Sequence, residues 1–240
     1  MTSKIVKYGS LLANAVRYDG AAVLAWRVLR QIVSPFGSLE AHVLLECDLT
    51  RDIRVPAAPP EITVRTALPE EMASVVAIEF GPDEPAGERR FDVDAAGMAA
   101  LVATARSRMA VGDICIVAAA GSDIVHFSWL RFGTLPPVLA RPVHLPDREC
   151  YLTDGYTVRR WRGRRLFDVV SAWALEEAKR RGYVRAYAMA DFIKAPSRRM
   201  ARRVGFFARG RVLVFRRRGR DDGLVLRLTG RADPLFHALW

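Results

Sequence analysis

The stretch from Tyr151 to Gly182 constrains the fold of this chain more than any other, because its residue pattern changes once and abruptly. Residues 151–158 are rich in β-branched and aromatic side chains, which is typical of a strand. From Leu166 onward apolar residues recur at helical spacing, and Gly182 is a natural helix stop. Residues 159–165 between them hold five arginines and one glycine. The sequence therefore predicts a strand, a strongly basic turn and a helix.

The basic turn lies where the predicted helix begins. The first main-chain N–H groups of a helix have no partner within the helix, and the helix dipole adds positive charge there. Such a terminus binds phosphate readily, and guanidinium groups match phosphate oxygens with two parallel hydrogen bonds. We therefore predict a phosphate-binding turn; the alternative is a solvated basic turn without a ligand.

This turn resembles the pyrophosphate loop of the GNAT-type acyl-CoA N-acyltransferases, whose pattern is Gln/Arg-x-x-Gly-x-Gly/Ala. Arg162 stands at the first position of the pattern, Arg165 at the first glycine and Phe167 at the second. Arg165 is the sharper departure, because a glycine there lets the backbone approach the pyrophosphate.

A second segment downstream resembles the Asn-x-x-Ser/Ala…Gly-Phe segment of the same family. Ser197, Gly205 and Phe206 match it, whereas Lys194 replaces the asparagine. Many relatives carry a tyrosine four residues before that glycine as the general acid for the departing thiolate, and Ala201 stands at that position here.

The resemblance implies an α/β (α+β) fold in which helices flank a central, twisted, mixed sheet. It implies acetyl-CoA or another acyl-CoA as co-substrate, with no metal, and a small-molecule or protein amine as acceptor, acylated by direct attack in a ternary complex. The residues expected to bind the coenzyme are Tyr156, Thr157, Arg162, Gly163, Arg164, Arg165, Phe167, Lys194 and Ser197.

The proton of the attacking ammonium needs an acceptor, because only the neutral amine is nucleophilic. Asp154 is the one carboxylate inside the predicted strand and our first candidate, and the direction of its side chain depends on whether the strand contains a bulge. Deprotonation through water is the alternative, and Asp191 at the end of the next strand is a poorer candidate. His126 falls in another predicted strand, where we expect a structural rather than a catalytic imidazole.

The chain divides into three parts by sequence: an N-terminal helix–strand extension (1–60), the GNAT-like domain (61–220) and a C-terminal tail (221–240). Residues 19–36 read as a basic, amphipathic helix, followed by a strand over 40–49. Two interpretations stay open for 1–36: contact with a membrane surface or a partner, or an extra helix packed against the sheet. Residues 81–93 read as a polar, acidic loop, and the resemblance implies that this region lines the acceptor site, where it would attract an amine; solvated loop charges without such a role are the default interpretation.

Composition narrows the function classes. The net charge of +11 comes largely from arginine clusters at 159–165, 198–203 and 216–220. These clusters are not interleaved with the aromatic residues that stack on bases, so nucleic-acid binding is the less favoured class.

The four histidines lack metal-ligand spacing, and the three cysteines form no CxxC pair. The unpaired cysteines indicate a reducing compartment, no apolar run approaches about 20 residues, and the N-terminus lacks the pattern of a signal peptide, so the sequence predicts a cytoplasmic protein. A degenerate transferase fold that only binds or regulates remains the alternative to an enzyme.

Overall fold

A computed structural model describes residues 21–80, 93–135, 143–192, 195–219 and 223–230. Its helices are α1 (Ala21–Val33), α2 (Met72–Phe80), α3 (Ala95–Ala110), α4 (Leu166–Arg180) and α5 (Ala195–Arg203). Its strands are β1 (Gly37–Asp48), β2 (Ile62–Thr66), β3 (Ile114–Ala120), β4 (Asp123–Phe132), β5 (Thr134–Leu135), β6 (Val143–His144), β7 (Glu149–Thr157), β8 (Arg185–Asp191), β9 (Phe207–Arg217) and β10 (Gly223–Gly230).

Eight of the strands form one mixed sheet in the order β10-β9-β1-β8-β7-β4-β3-β2, and β5 pairs with β6. Only β7 and β8 run parallel among the described pairs, and α4 connects them. Their register extends from Glu149↔Arg185 to Leu152↔Ala188, although β7 continues to Thr157 and β8 to Asp191. The two strands therefore diverge at their carboxyl ends and leave a gap in the middle of the sheet.

The predicted strand–turn–helix unit is confirmed. The helix begins at Leu166 and ends at Arg180, and Gly182 follows with a φ of +89° that glycine adopts without strain. Its apolar stripe, which includes Val170, Ala174 and Ala178, is fully buried against one face of the sheet. This burial fixes the start of α4 next to the end of β7.

Helices α2 and α3 cover the opposite face of the sheet. Met72 and Val75 of α2 and Ala105 of α3 pack in one cluster with Phe127 and Trp129 of β4. Asp94 caps α3, because its Oδ1 accepts a hydrogen bond from the Gly97 N–H at 2.8 Å. The mixed sheet between two helical layers confirms the predicted fold class.

The sequence boundary at residue 60 falls between two strands of the same sheet. Strand β1 lies between β8 and β9 and is antiparallel to both. Its buried Leu44 and Leu45 contribute to the packing on opposite faces. The segment 223–230 forms β10, which pairs with β9 at the sheet edge. The assignment of three parts to the chain stays a prediction, which a truncation can test.

Several sequence predictions lie outside the described residues. They include the acidic loop over 81–92, Lys194, the segment before α1 and the last ten residues. Among the described residues, no helix has both the length and the apolarity needed to cross a bilayer. In the same part of the chain, no group of three or more His, Cys, Asp or Glu side chains lies close enough together to hold a metal ion.

Candidate active site

The turn between β7 and α4 adopts an unusual backbone conformation. After a single 3-10 turn over Arg159–Trp161, Gly163 has a φ of +83° and Arg165 a φ of +60°. Arg165 is therefore left-handed without being glycine, at a cost of about 1–2 kcal/mol. The residue that departs from the family pattern thus adopts a backbone conformation that glycine favours.

The N-terminus of α4 is uncapped. The Arg165 side chain makes no capping hydrogen bond, and the Val169 N–H is the first amide of the helix to bond back, to the Arg165 carbonyl at 3.2 Å. No described residue accepts a hydrogen bond from the amides of residues 163–168. A Cβ added to Gly163 would meet no atom within 4 Å, so the space in front of the turn is open. Open space in front of unpaired amides is what an anion requires.

Two of the arginines predicted to surround a phosphate stabilise the turn itself. Arg162 donates from Nε to the Thr157 carbonyl at 3.1 Å and from Nη2 to the Tyr156 hydroxyl at 3.3 Å. Arg164 bonds to Glu61 at 3.0 Å, and its guanidinium stacks 4.4 Å from the centre of the Trp161 ring. The main-chain amides, rather than a ring of unengaged guanidinium groups, therefore form the central feature of this site.

A buried carboxylate places two further arginines beside the turn. Asp168 lies in the first turn of α4 and is almost completely buried. It accepts hydrogen bonds from Arg165 Nε at 3.0 Å and from Arg203 Nε and Nη2 at 2.8 and 3.0 Å. Both arginines are largely exposed outside these bonds. The cluster carries one net positive charge and ties α5 to the start of α4.

A β-bulge interrupts β7 next to this turn. The register with β4 jumps from Phe127↔Tyr156 to Trp129↔Thr153, and Asp154 takes a φ of +49°. A Cβ on Gly155 would lie 3.0 Å from Ser128 Oγ and 3.2 Å from a Phe167 ring carbon. Glycine is needed here because Phe167, from α4, packs directly on the bulge. Phe167 thus connects the bulge with the helix N-terminus.

The bulge decides the direction of the Asp154 side chain and turns this residue outward. Its side chain is 44% exposed and lies 2.8 Å from Arg108 Nη1 of α3. The Arg108 guanidinium in turn stacks 4.1 Å from the centre of the Trp129 ring. Asp154 therefore lies on the side of the sheet covered by α3, ion-paired but accessible.

Tyr156 and Thr157 lie on opposite faces of the sheet. The Tyr156 ring stacks on Phe127, with 6.4 Å between ring centres, within the cluster formed with α2 and α3. Thr157 Oγ1 lies instead 2.6 Å from His126 Nδ1, on the face toward α4. The two predicted coenzyme contacts therefore cannot use their side chains on one ligand at the same face.

His126 forms a buried polar cluster that the sequence reasoning did not connect with the site. The imidazole is fully buried, with Nε2 3.2 Å from Ser128 Oγ and Nδ1 bonded to Thr157, and the Phe167 ring meets it edge-on. Burial lowers the pKa of His126 to about 3. The sequence left a satisfied or an exposed strand imidazole open, and the structure shows the satisfied, buried form. The alternation of His126 and Ser128 on one face of β4 was the available signal.

The second family segment forms α5. Ser197 lies in its first turn and is half-buried, whereas Ala201 is buried in the core. Arg198 donates to the main-chain carbonyls of Asp191 and Phe192, where β8 ends. Helix α5 is thus fastened to the carboxyl end of β8, on the far side of the gap from the β7 bulge.

Comparison with solved structures identifies the fold. No family model matches this chain, and no curated protein does. A GCN5-related N-acetyltransferase from Sphaerobacter thermophilus superposes with a TM-score of 0.53 at 17% identity, over 79% of this chain and 56% of that one. A tandem GNAT protein from the clavulanic acid biosynthesis pathway gives 0.54 at 15% identity, over 85% and 59%. A GNAT-family acetyltransferase from Colwellia psychrerythraea gives 0.51 at 10% identity, over 78% and 60%.

This chain therefore spans less than two thirds of the length of each of those three structures. The likeness covers more than three quarters of this chain in each case, and it agrees with the motif resemblance in the sequence. The chain has the fold of the GCN5-related N-acetyltransferases.

Proposed function

We propose that this protein is an acyl-CoA N-acyltransferase that transfers an acyl group, with acetyl the first candidate, to a primary amine. The observation that carries the proposal is the uncapped start of α4 behind a left-handed turn, placed beside the gap between β7 and β8. The anion site and the gap both lie at the carboxyl end of β7, as a long nucleotide thioester requires.

The residues of the turn fit a diphosphate. The amides of residues 163–168 would donate to its oxygens, and the open space at Gly163 admits them. Arg165 and Arg203, held by Asp168, would supply positive charge at the rim. Arg162 and Arg164 act indirectly by fixing the turn. Ser197, Tyr156 and Thr157 stay proposed contacts, and Lys194 lies outside the described residues.

The gap between β7 and β8 fits an extended, amide-bearing chain. Beyond Leu152 the main chain of β7 no longer pairs with β8, which leaves polar groups of the strand facing the gap. When bound, acyl-CoA supplies an activated thioester carbonyl. An N–H of β7 near the bulge would stabilise the negative charge that develops on that carbonyl oxygen.

Direct attack by the amine agrees with the burial and protonation of the cysteine thiols. All three are buried, and burial raises the pKa of Cys47 to about 11 and that of Cys115 to about 12. These thiols are protonated at neutral pH and are therefore poor nucleophiles. We propose a single ternary complex in which no acyl-enzyme forms.

Asp154 remains our first candidate for accepting the proton of the amine. It is accessible, it lies at the bulge, and Arg108 fixes its position. Deprotonation through water is the alternative. Ala201, buried in the core, offers no hydroxyl to protonate the departing thiolate, so that proton must come from another group or from solvent.

A binding or regulatory module without catalysis is the second candidate. The engagement of Arg162 and Arg164 within the turn and the apolar residue at position 201 favour it. An assay of free thiol release with a panel of primary amines, small molecules and peptides, separates the two. Release that depends on the amine supports the enzyme, whereas acyl-CoA binding without release supports the module.

The turn assignment is tested by Gly163→Asp, which places a carboxylate in front of the amides. We expect isothermal titration to show acetyl-CoA affinity reduced by about a hundredfold or more, because like charges repel and the anion site is blocked. The matched control is Gly182→Asp at the far end of α4, with a similar positive φ of +89° and equally open space. It should carry similar backbone strain yet bind normally. Normal binding by Gly163→Asp would show that the turn is not the coenzyme site.

A further inference from the structure

Helix α1 packs one face on the sheet and exposes another apolar face. Strand β1 lies beneath it, and Trp26 and Val33 are half-buried there. Val28, Leu29 and Ile32 lie within about 100° around the helix axis and are all exposed, Ile32 by 63%. Phe36, just after the helix, is 69% exposed. A helix that is apolar on both sides needs a partner for its outer face.

Cations lie at one end of this apolar face, next to Phe36. Arg217 and Arg218 at the end of β9 are exposed, whereas Arg30 lies about 160° around the α1 axis from Ile32 and so belongs to the other side of the helix. The Arg218 N–H donates to the Phe36 carbonyl at 3.0 Å, which places Arg217 and Arg218 beside Phe36. Residues 21–38 contain no aspartate or glutamate.

A polar cleft lies next to Phe36, between the end of α1 and the end of β9. It has a volume of about 360 Å³ and is lined by Ser34, Gly37, Ser38, Arg216, Arg217 and Arg218. Arg216 is engaged with Glu40 at 2.7 Å. The other two guanidinium groups extend around a space large enough for a phosphate group.

We propose that α1 and Phe36 bind the surface of an anionic phospholipid bilayer. Val28, Leu29, Ile32 and Phe36 would enter the boundary between headgroups and acyl chains, and Arg217 and Arg218 would contact lipid phosphates. We call these six residues the α1 surface. An apolar face with arginines at its end matches the change from hydrocarbon to phosphate across the interface. The helix, 13 residues or about 20 Å long, lies in the plane of the membrane rather than across it.

A second copy of this chain is the less suitable occupant. A two-fold dimer through the α1 surface would bring four arginines, Arg217 and Arg218 of both copies, into an interface to which residues 21–38 contribute no carboxylate. Like charges facing each other across an interface oppose association. The proposal is independent of the catalytic assignment, because the α1 surface includes no residue of the candidate active site.

Co-sedimentation of the full chain with vesicles tests the proposal. We expect binding to vesicles of phosphatidylserine and phosphatidylcholine in equal amounts, and much weaker binding to phosphatidylcholine alone. The double variant Leu29→Glu/Ile32→Glu should bind the anionic vesicles at least about tenfold more weakly, because it removes apolar insertion and adds repulsion. The double variant Arg217→Glu/Arg218→Glu should also bind the anionic vesicles at least about tenfold more weakly, although it leaves the apolar residues of the α1 surface unchanged.

The matched control is Val111→Glu, at an exposed valine after α3 that is 78% accessible and lies outside the α1 surface. It should sediment with the vesicles like the unmodified chain, and all variants should keep their melting temperature. Equal sedimentation of Leu29→Glu/Ile32→Glu and the unmodified chain overturns the proposal. So does an unmodified chain that stays in solution and elutes as a dimer, which would assign the surface to a second copy. A drop in melting temperature of the glutamate variants without vesicle binding would assign it to another segment of this chain.

Discussion

At the scale of single residues, Asp154 is where local backbone geometry decides the position of a candidate catalytic side chain. The bulge gives it a positive φ and turns its carboxylate toward Arg108 and the helix α3 side. A catalytic carboxylate needs access to the amine more than it needs burial, and this position provides access.

We expect Asp154→Asn to lower kcat by about a hundredfold and to flatten the acidic limb of the pH–rate profile, because an amide cannot accept the proton. Steady-state kinetics across pH measure both effects. Asp123→Asn is the control, since Asp123 is an exposed carboxylate that forms a 3.5 Å ion pair with Arg160 away from the bulge. An unchanged profile in Asp154→Asn would assign the proton transfer to water.

His126 couples folding to pH at the residue scale. Its pKa lies near 3 in the folded protein and near 6.5 in the unfolded chain, so the unfolded chain takes up a proton first as the pH falls. We expect the free energy of unfolding to fall by about 1.4 kcal/mol per pH unit below pH 6.5 through this residue, until the pH approaches 3.

Urea denaturation at pH 7 and pH 5 measures this effect. The contribution of His126, about 2 kcal/mol over that interval, should disappear in His126→Gln. The exposed His144 provides the control: His144→Gln should show the same change in free energy of unfolding between pH 7 and pH 5 as the unmodified chain. If His126→Gln also showed that same change, the buried, neutral imidazole would be contradicted.

At the scale of elements, the bulge of β7 and the start of α4 form one unit through Phe167 and Gly155. Gly155→Ala adds a methyl group 3.0 Å from Ser128 Oγ and 3.2 Å from the Phe167 ring. We expect a loss of about 1–3 kcal/mol of stability and weaker acetyl-CoA binding, because Phe167 and its amide are displaced together. Thermal denaturation and isothermal titration measure the two effects.

A smaller side chain at position 167 should relieve this clash. In a double-mutant cycle, Phe167→Leu should recover part of the stability and affinity that Gly155→Ala loses. Additive effects of the two substitutions would show that the bulge and the helix start are independent.

At the scale of the whole molecule, β1 joins the N-terminal part to the rest. It separates β8 from β9, with pairs from His42↔Asp191 to Asp48↔Arg185 on one side and from Gly37↔Arg217 to Glu46↔Phe207 on the other. Without β1, two strands in the middle of the sheet would each expose an unpaired edge.

We therefore expect a chain that begins at Glu61 to lose cooperative thermal unfolding, measured by circular dichroism. A synthetic peptide of residues 37–48 added in trans should restore part of it, whereas a scrambled peptide should not. A truncated chain as stable as the full one would make residues 1–60 a separate extension.

The sequence by itself determined the features that depend on a few neighbouring residues. The change from strand to helical spacing, the Asp94 cap, the β3–β4 hairpin and the glycine after α4 all arise from local backbone preferences. The fold class was also predicted from the sequence, because two short motifs, the turn before α4 and the segment that forms α5, resemble those of one family.

Only the tertiary structure decided which distant groups meet. The pairing of β1 with β8, the contact of Asp168 with Arg203 and the bond between His126 and Thr157 each join residues more than thirty positions apart. Such contacts depend on which apolar faces are buried together, and no local pattern records that choice. The exposure of Asp154 follows from a bulge, which shifts side-chain alternation by one residue and so reverses the face that strict alternation predicts.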